Sequence, residues 1–412
     1  MKNKHELMGP YRKKILLVQP SFPLPNKRKI HHDFFPIGLL KIGTYLKQER
    51  KCTVELTFDN KPSLFRPDEI WITSLFTYWS SYVHDSIEYY QSLYPNTPIY
   101  LGGIYATLLS EVINIPGVIV QKGVYSPAEE YSKTHFVDEK LLKEPLDFQI
   151  IHSMRGCFRK CKFCGTWKIE PEETYTDNIP NMIRKNHVIF YDNNLLRRPD
   201  IEKFLYDLSR VKVNGKYVTY ESQSGFDGRI LNQDVANLLH KAHFINVRIA
   251  WDGGVSDYPD IEKQIQYLCK AGYKRKEIFV FMLMNWDIVP AEMEKKRQYC
   301  WRYGVQIIDC RFRPLNQLYG HYSTKIKQTD IDYYIHPSWS DSTIKRFRRN
   351  IRKHNICIRH EIAFYSVSLE RKKINQEKSK EMKTLKDKKI IMEKIPDAWF
   401  PDEDHMYDLI NI

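Results

Sequence analysis

The chain reads as an α/β protein built from two successive parallel-sheet domains, and two observations predict this. Short apolar runs of strand length alternate with segments of helical periodicity along most of the sequence. In the second half, six such runs each end in a polar or Gly-containing stretch, the pattern of an open α/β barrel whose site lies at the carboxyl ends of its strands. The expected division is a doubly wound sheet domain over residues 12–125, a barrel over 146–325, and a helical, basic C-terminal extension over 326–412.

The elements follow in order. Residues 13–19 form a buried strand that ends before Pro20 and Pro23. Ile37, Leu39, Leu40, Ile42 and Leu46 recur at helical spacing, with Pro36 suited to a first turn, so 36–47 is a helix. Strands are expected at 52–57, 69–75, 99–101 and 118–121, with a helix at 84–93. This is the rhythm of a doubly wound, Rossmann-like sheet. After a connector containing Pro127 and Pro145, barrel strands are expected at 150–154, 188–191, 218–222, 246–250, 278–284 and 305–310. Residues 344–359 form a basic helix, and the Lys-dense stretch 374–393 reads as a solvated helix or linker.

Composition narrows the class. With 42% hydrophobic and 13% aromatic residues, 412 residues can build a real core. No run of 18 apolar residues predicts a membrane span, and the N-terminus leads into no signal-type apolar region. The expectation is a cytoplasmic protein. Eight cysteines form no disulfide framework; Cys52, Cys269, Cys300, Cys310 and Cys357 are scattered and read as small buried side chains. The net charge of +14 permits an anionic partner such as RNA, although much of the excess sits in the Lys-dense tail.

The chemistry concentrates in the run Arg155-Gly156-Cys157-Phe158-Arg159-Lys160-Cys161-Lys162-Phe163-Cys164. Soft thiolates favour iron–sulfur clusters or zinc. A structural zinc needs four ligands; the nearest extra donor, His152, lies in the strand entering the loop, and no second Cys pair follows at zinc-ribbon spacing. The local polarity of Arg155, Arg159, Lys160 and Lys162 argues against three core thiols. A three-Cys site with one open position is favoured.

Cys157-x-x-x-Cys161-x-x-Cys164 after a strand, with Phe163 before the last Cys and Arg155-Gly156 before the first, resembles the radical S-adenosylmethionine superfamily. The resemblance implies a [4Fe–4S] cluster on Cys157, Cys161 and Cys164, with S-adenosylmethionine on the open iron. One electron from the cluster then cleaves the sulfonium to a 5′-deoxyadenosyl radical. It also implies a partial (β/α)6 barrel, an adenine contact at Phe163, and an external electron donor of flavodoxin or ferredoxin type. At the second-strand end, where the superfamily often carries Gly-Gly-Glu, this chain has Asp192-Asn193-Asn194. Gln223 and Ser224 at the third strand, and Asp227, Arg229 and Asp252, are further cofactor candidates, with a structural cap or turn as the competing role. Asn285, Arg311 and Arg313, at later strand ends, are substrate candidates. No catalytic residue is singled out.

The N-terminal domain resembles the cobalamin-binding domain of one radical-SAM subclass. Pro36-Ile37-Gly38-Leu39-Leu40, Ser74-Leu75-Phe76-Thr77 and Leu101-Gly102-Gly103 carry the resemblance, which implies that Ser74, Thr77, Gly102 and Gly103 border the cobalamin nucleotide tail. The cobalt-ligating Asp-x-His-x-x-Gly motif is missing, and His31-His32-Asp33 does not reproduce it. The second-cluster reading of methylthiotransferases fails because only Cys52 precedes Cys157. The leading expectation is a cobalamin-dependent C-methyltransferase. The alternatives are a cobalamin-independent rearrangement or oxidation enzyme with a degenerate first domain, and an RNA-binding protein with a structural cluster, carried by Lys345, Arg346, Arg348, Arg349, Arg352 and Lys353. Substrate identity stays open between peptide, nucleic acid, lipid and small molecule. Pro314 to Tyr319 and the tail are expected to bear on that choice.

Overall fold

The computed structural model describes residues 11–24, 34–142 and 144–361. His31, His32, Asp33 and the Lys-dense stretch 374–393 lie outside the described residues. The chain divides into two compact units, one of residues 1–193 with 314–322 and 332–334, the other of 194–313, 323–331 and 335–412.

The first unit opens with β1 (Lys14–Gln19), α1 (Ile37–Gln48), β2 (Thr53–Phe58), β3 (Glu69–Ser74), α2 (Ser80–Leu93), β4 (Ile99–Gly103), α3 (Ile104–Leu108) and β5 (Val118–Val120). The strands pair in parallel in the order β2-β1-β3-β4-β5. Burial on both faces explains why β1 is a continuous apolar run rather than an alternating one. Ile15 and Leu17 pack with Leu39, Leu40 and Leu46 of α1 on one face. Leu16 and Val18 pack with Val83, Ile87 and Tyr90 of α2 on the other. The two-residue period of one strand thus builds two cores, which is the doubly wound arrangement the sequence predicts. The strand order reverses between β1 and β3, where such sheets present a crevice at their carboxyl ends.

The same unit continues through α4 (Ser126–Ser132), β6 (Gln149–Ile151), β7 (Met154–Arg155), α5 (Thr166–Ile169), β8 (Thr174–Tyr175) and β9 (His187–Phe190). β6 pairs in parallel with β9. The strand expected at 150–154 is broken. At Ser153 the backbone N–H and the hydroxyl both turn to Asp192, and the Ser153 carbonyl accepts from Thr176 N–H. The chain then enters a short antiparallel hairpin, β7 with β8.

The second unit contains α6 (Ile201–Leu208), the hairpin β10 (Lys212–Val213) and β11 (Lys216–Tyr217), then β12 (Thr219–Ser222), α7 (Gln233–Lys241), β13 (Arg248–Ala250), α8 (Tyr258–Ala271), β14 (Phe279–Met284), α9 (Pro290–Tyr303), β15 (Gln306–Arg311) and α10 (Asp341–His360). β13, β14 and β15 are parallel neighbours. Local chemistry sets the helix ends. Asn232 caps α7 by accepting from Val235 N–H, Pro290 opens α9, and Gly272 and Gly304 close α8 and α9 in the left-handed region. α10 buries Ile344, Phe347, Ile351 and Ile358 at helical spacing. Its Asn355 side chain accepts from Ile307 N–H and donates to Ile307 C=O, satisfying backbone groups of β15. Among the described residues no helix is long and apolar enough to cross a membrane.

Candidate functional site

The cysteine loop runs from β7 to α5. Cys157, Cys161 and Cys164 are in no disulfide, and all are half-buried. Two backbone turns shape the loop: Cys161 N–H donates to Arg159 C=O at 2.9 Å and Cys164 N–H to Cys161 C=O at 3.1 Å. Trp167 Nε1 also donates to Cys161 C=O at 3.3 Å, and Cys164 Sγ lies 3.3 Å from Thr166 Oγ1. Phe163, expected against an adenine, is half-buried in the same loop. The loop therefore offers three soft sulfurs within eight residues. Among the described residues no three Cys, His, Asp or Glu converge as the ligands of a single ion would.

The loop is held from behind. Gly156 has φ +80°, and a Cβ there would collide with the Glu172 carbonyl, so the entry to the loop requires glycine. Gly156 N–H donates to Asn193 Oδ1 at 2.9 Å. The fully buried Asp192 carboxylate accepts from Ser153 N–H at 2.7 Å and from the Ser153 hydroxyl. Two of the three residues expected from sequence to meet the cofactor at this strand end, Asp192 and Asn193, thus also fasten the loop's base.

Beside them lies a buried charge network that the sequence did not reveal. Arg155 Nε and Nη2 each reach Glu129 at 2.9 Å, Arg155 Nη1 reaches Glu170 at 2.7 Å, and Lys41 Nζ reaches both Glu129 oxygens at 2.8 and 2.9 Å. Burial by itself would raise the Glu129 carboxyl, but Lys41 and Arg155 outweigh it and hold it at about 2. Lys41 is pushed the other way, to about 8, by burial and by the neighbouring Arg155 cation, against the pull of Glu129 and Glu170. His152 is held well below its ordinary value by burial and by the same two cations, and its buried Nδ1 has no hydrogen-bond partner. Only Arg155 had a visible signal, its place in the cysteine run.

In the parallel sheet, Ser74, Gly102 and Gly103 come together. Ser74 Oγ donates to Gly102 C=O at 2.7 Å and accepts from Ala106 N–H at 3.0 Å. Gly103 has φ +101°, and a Cβ there would collide with the Ser74 carbonyl. At Gly102, in contrast, a Cβ would meet nothing closer than Gln121 O at 3.8 Å. A cleft of about 190 Å³ opens at these strand ends, walled by Gly38, Thr73, Gly102, Gly103 and Gly123, with Lys41, Glu129 and Arg155 also lining it. Thr77 is buried at the start of a short turn before α2.

In the second unit the remaining candidates sit at strand ends. Asn194 is buried, Gln223 and Asp252 are half-buried and Ser224 is exposed. Gly225, at φ +75°, packs tightly against Phe281 and Arg248. The Asp227 carboxylate is tied to the exposed Arg229 at 2.7 Å. Burial raises the Asp252 carboxyl against the pull of Lys296. Lys296, fully buried on α9, donates to Trp251 C=O and Gly253 C=O at 2.8 Å each, and one turn earlier Glu292 accepts from Val255 N–H at 2.6 Å. Two side chains of one helix thus clamp the loop that carries Asp252. Asn285 is fully buried at φ +59°, with its carbonyl accepting from His336 N–H at 2.9 Å, so its amide is committed to the fold. Arg311 and Arg313 are half-buried around the end of β15.

No family model matches the sequence, and no curated protein matches it. Among solved structures the chain is similar to the radical S-adenosylmethionine methyltransferase TsrM from Kitasatospora setae, with cobalamin and a [4Fe–4S] cluster bound. The TM-score is 0.55 at 11% identity, over 75% of this chain and 77% of that one. A second TsrM structure, holding tryptophan substrate and the S-adenosylmethionine analogue aza-SAM, gives 0.54 at 12% identity over 74% and 75% of the chains. The chain therefore shares that fold, a Rossmann-like parallel-sheet domain followed by a second α/β domain.

Proposed function

We propose that the chain is a radical S-adenosylmethionine enzyme, with Cys157, Cys161 and Cys164 as the ligands of a [4Fe–4S] cluster, and that it is a cobalamin-dependent methyltransferase acting on carbon. The carrying observation is the loop of three half-buried cysteines, none of them in a disulfide, anchored at Gly156 to a strand end. The shared fold with a cobalamin-binding methyltransferase supports the finer reading. When bound, cluster, S-adenosylmethionine and cobalamin supply one-electron reduction of the sulfonium and delivery of a methyl group. The chain's own work is positional. Asp192 and Asn193 fix the loop's base, Lys296 and Glu292 hold Asp252 at its strand end, and the glycines at the ends of β4 and β5 leave room for a nucleotide tail to approach backbone.

A cobalamin-independent radical enzyme is the second reading. It is favoured by the missing cobalt-ligating motif and by the small cleft, which accepts the end of an elongated ligand rather than a whole corrinoid. The test is anaerobic purification with cluster reconstitution and added cobalamin, followed by assay of 5′-deoxyadenosine and S-adenosylhomocysteine together. The methyltransferase reading requires both products and bound cobalamin. Deoxyadenosine alone refutes the methyltransferase, and unchanged iron content in the triple Cys→Ala variant refutes the cluster.

A further inference from the structure

We propose that a second cavity of the first unit, which meets the strand-end cleft only at the Lys41–Glu129 pair, is a binding site for a small organic anion with an apolar body. The cavity measures about 960 Å³, against about 190 Å³ for the cleft. Small-molecule sites usually enclose about 300–1,000 Å³. Every residue that lines it belongs to the first unit. Its walls come from α1, the start of β2, the segment between α4 and β6, and residues 176–185. Lys41 and Glu129 are the two residues that line both spaces, so this site is separate from the one assigned above to a cofactor tail.

The wall changes character with depth, and that selects the ligand. The buried lining residues are mostly apolar, with Phe35, Ile37, Leu40, Ile150 and Ile179 among them. The exposed ones, at the mouth, include Arg12, Lys47, Lys140 and Arg184 and no carboxylate. The acids of the lining are already matched. Glu129 is shared by Lys41 and Arg155, Asp138 pairs with Lys47 at 2.7 Å, and Glu139 pairs with Lys185 at 2.9 Å. Arg12, Lys140 and Arg184 are therefore cations in excess of the acids. Phe136, 43% exposed at the mouth, carries the apolar surface outward beneath the Arg184 guanidinium, 4.2 Å from its ring centre. His152, kept uncharged by burial and by the Arg155 and Lys41 cations, lines the wall without adding charge, and its buried Nδ1 has no hydrogen-bond partner. An apolar body displaces water from the inner wall, and an anionic head placed among the cations at the mouth meets their field. A neutral ligand leaves that field unused, and a cationic one is repelled by it.

The experiment titrates decanoate, decanol and decyltrimethylammonium, below their micelle-forming concentrations, into the full-length protein by calorimetry. Anilinonaphthalenesulfonate, an aromatic anion read by its fluorescence, is the second probe. The expected result is saturable decanoate binding, about tenfold or more tighter than that of decanol or decyltrimethylammonium, with decanoate displacing the dye. The Lys140→Glu/Arg184→Glu variant should lose that preference while its decanol affinity and urea unfolding stay unchanged. Location is read without any substitution. Cys52 lines the cavity and is half-buried, whereas the half-buried Cys269 lies in the second unit. Alkylation of Cys52 by N-ethylmaleimide, followed by peptide mass spectrometry, should slow about fivefold or more at saturating decanoate, with Cys269 unaffected. Failure of both anions to bind, decanol binding as tightly as decanoate, or Cys52 alkylation that decanoate does not change overturns the proposal. None of these readouts passes through the cluster, so the site stands or falls apart from the proposed function.

Discussion

Replacing Glu129 by Gln tests whether the buried network behind the cysteine loop holds that loop in place. Glu129 accepts four hydrogen bonds from two cations, Lys41 and Arg155, and its side chain is 14% exposed. Its carboxyl is held at about 2 against an ordinary 4.5, which corresponds to about 3 kcal/mol of stability at neutral pH. Breaking a buried pair by removing one partner gives a similar figure, about 3–5 kcal/mol, because the stranded charges stay buried. Since the folded value is depressed, this contribution is complete above about pH 4.5 and is lost as pH falls toward 2. Urea unfolding of Glu129→Gln and the unmodified protein at pH 7 and pH 3 reads both effects. The expected gap is about 3 kcal/mol at pH 7 and clearly smaller at pH 3, with weakened iron retention because Arg155 directly precedes Gly156. A gap below about 1 kcal/mol at pH 7, or one that does not change with pH, refutes the argument.

Three further outcomes are expected. Gly103→Ala places a side chain at φ +101° against the Ser74 carbonyl and should cost at least about 1–3 kcal/mol in urea unfolding. Gly102→Ala should leave stability nearly unchanged and weaken cobalamin binding, because its methyl enters the cleft; equal stabilities for the two variants would contradict the strand-end geometry. Lys296 is held at about 8 by burial, so its charge costs stability below that pH and the cost is relieved as pH rises toward 10.5. Lys296→Met should remove about 3 kcal/mol of that rise between pH 8 and 10.5 in urea unfolding. An identical pH profile in the variant would show that burial does not set the Lys296 charge.

Features encoded by local spacing are legible without the fold. β1 is legible because it is buried on both faces, and α1 because Leu39, Leu40 and Leu46 recur at its period. The cysteine loop is legible because all three ligands lie within eight residues and the turns that shape them are short-range. Only the tertiary structure decided what those features rest on. The strand expected through Met154 breaks because Asp192, 39 residues on, takes the hydrogen bonds of Ser153. Lys41 and Glu129 meet across 88 residues, and Lys296 and Trp251 across 45. Buried charges and polar groups must find partners wherever the fold brings them, and neither periodicity nor local propensity carries that information. For the same reason the sequence could not show that Asp192, Asn193 and Asn285, expected at their strand ends as cofactor or substrate contacts, also bond the backbone of their own unit.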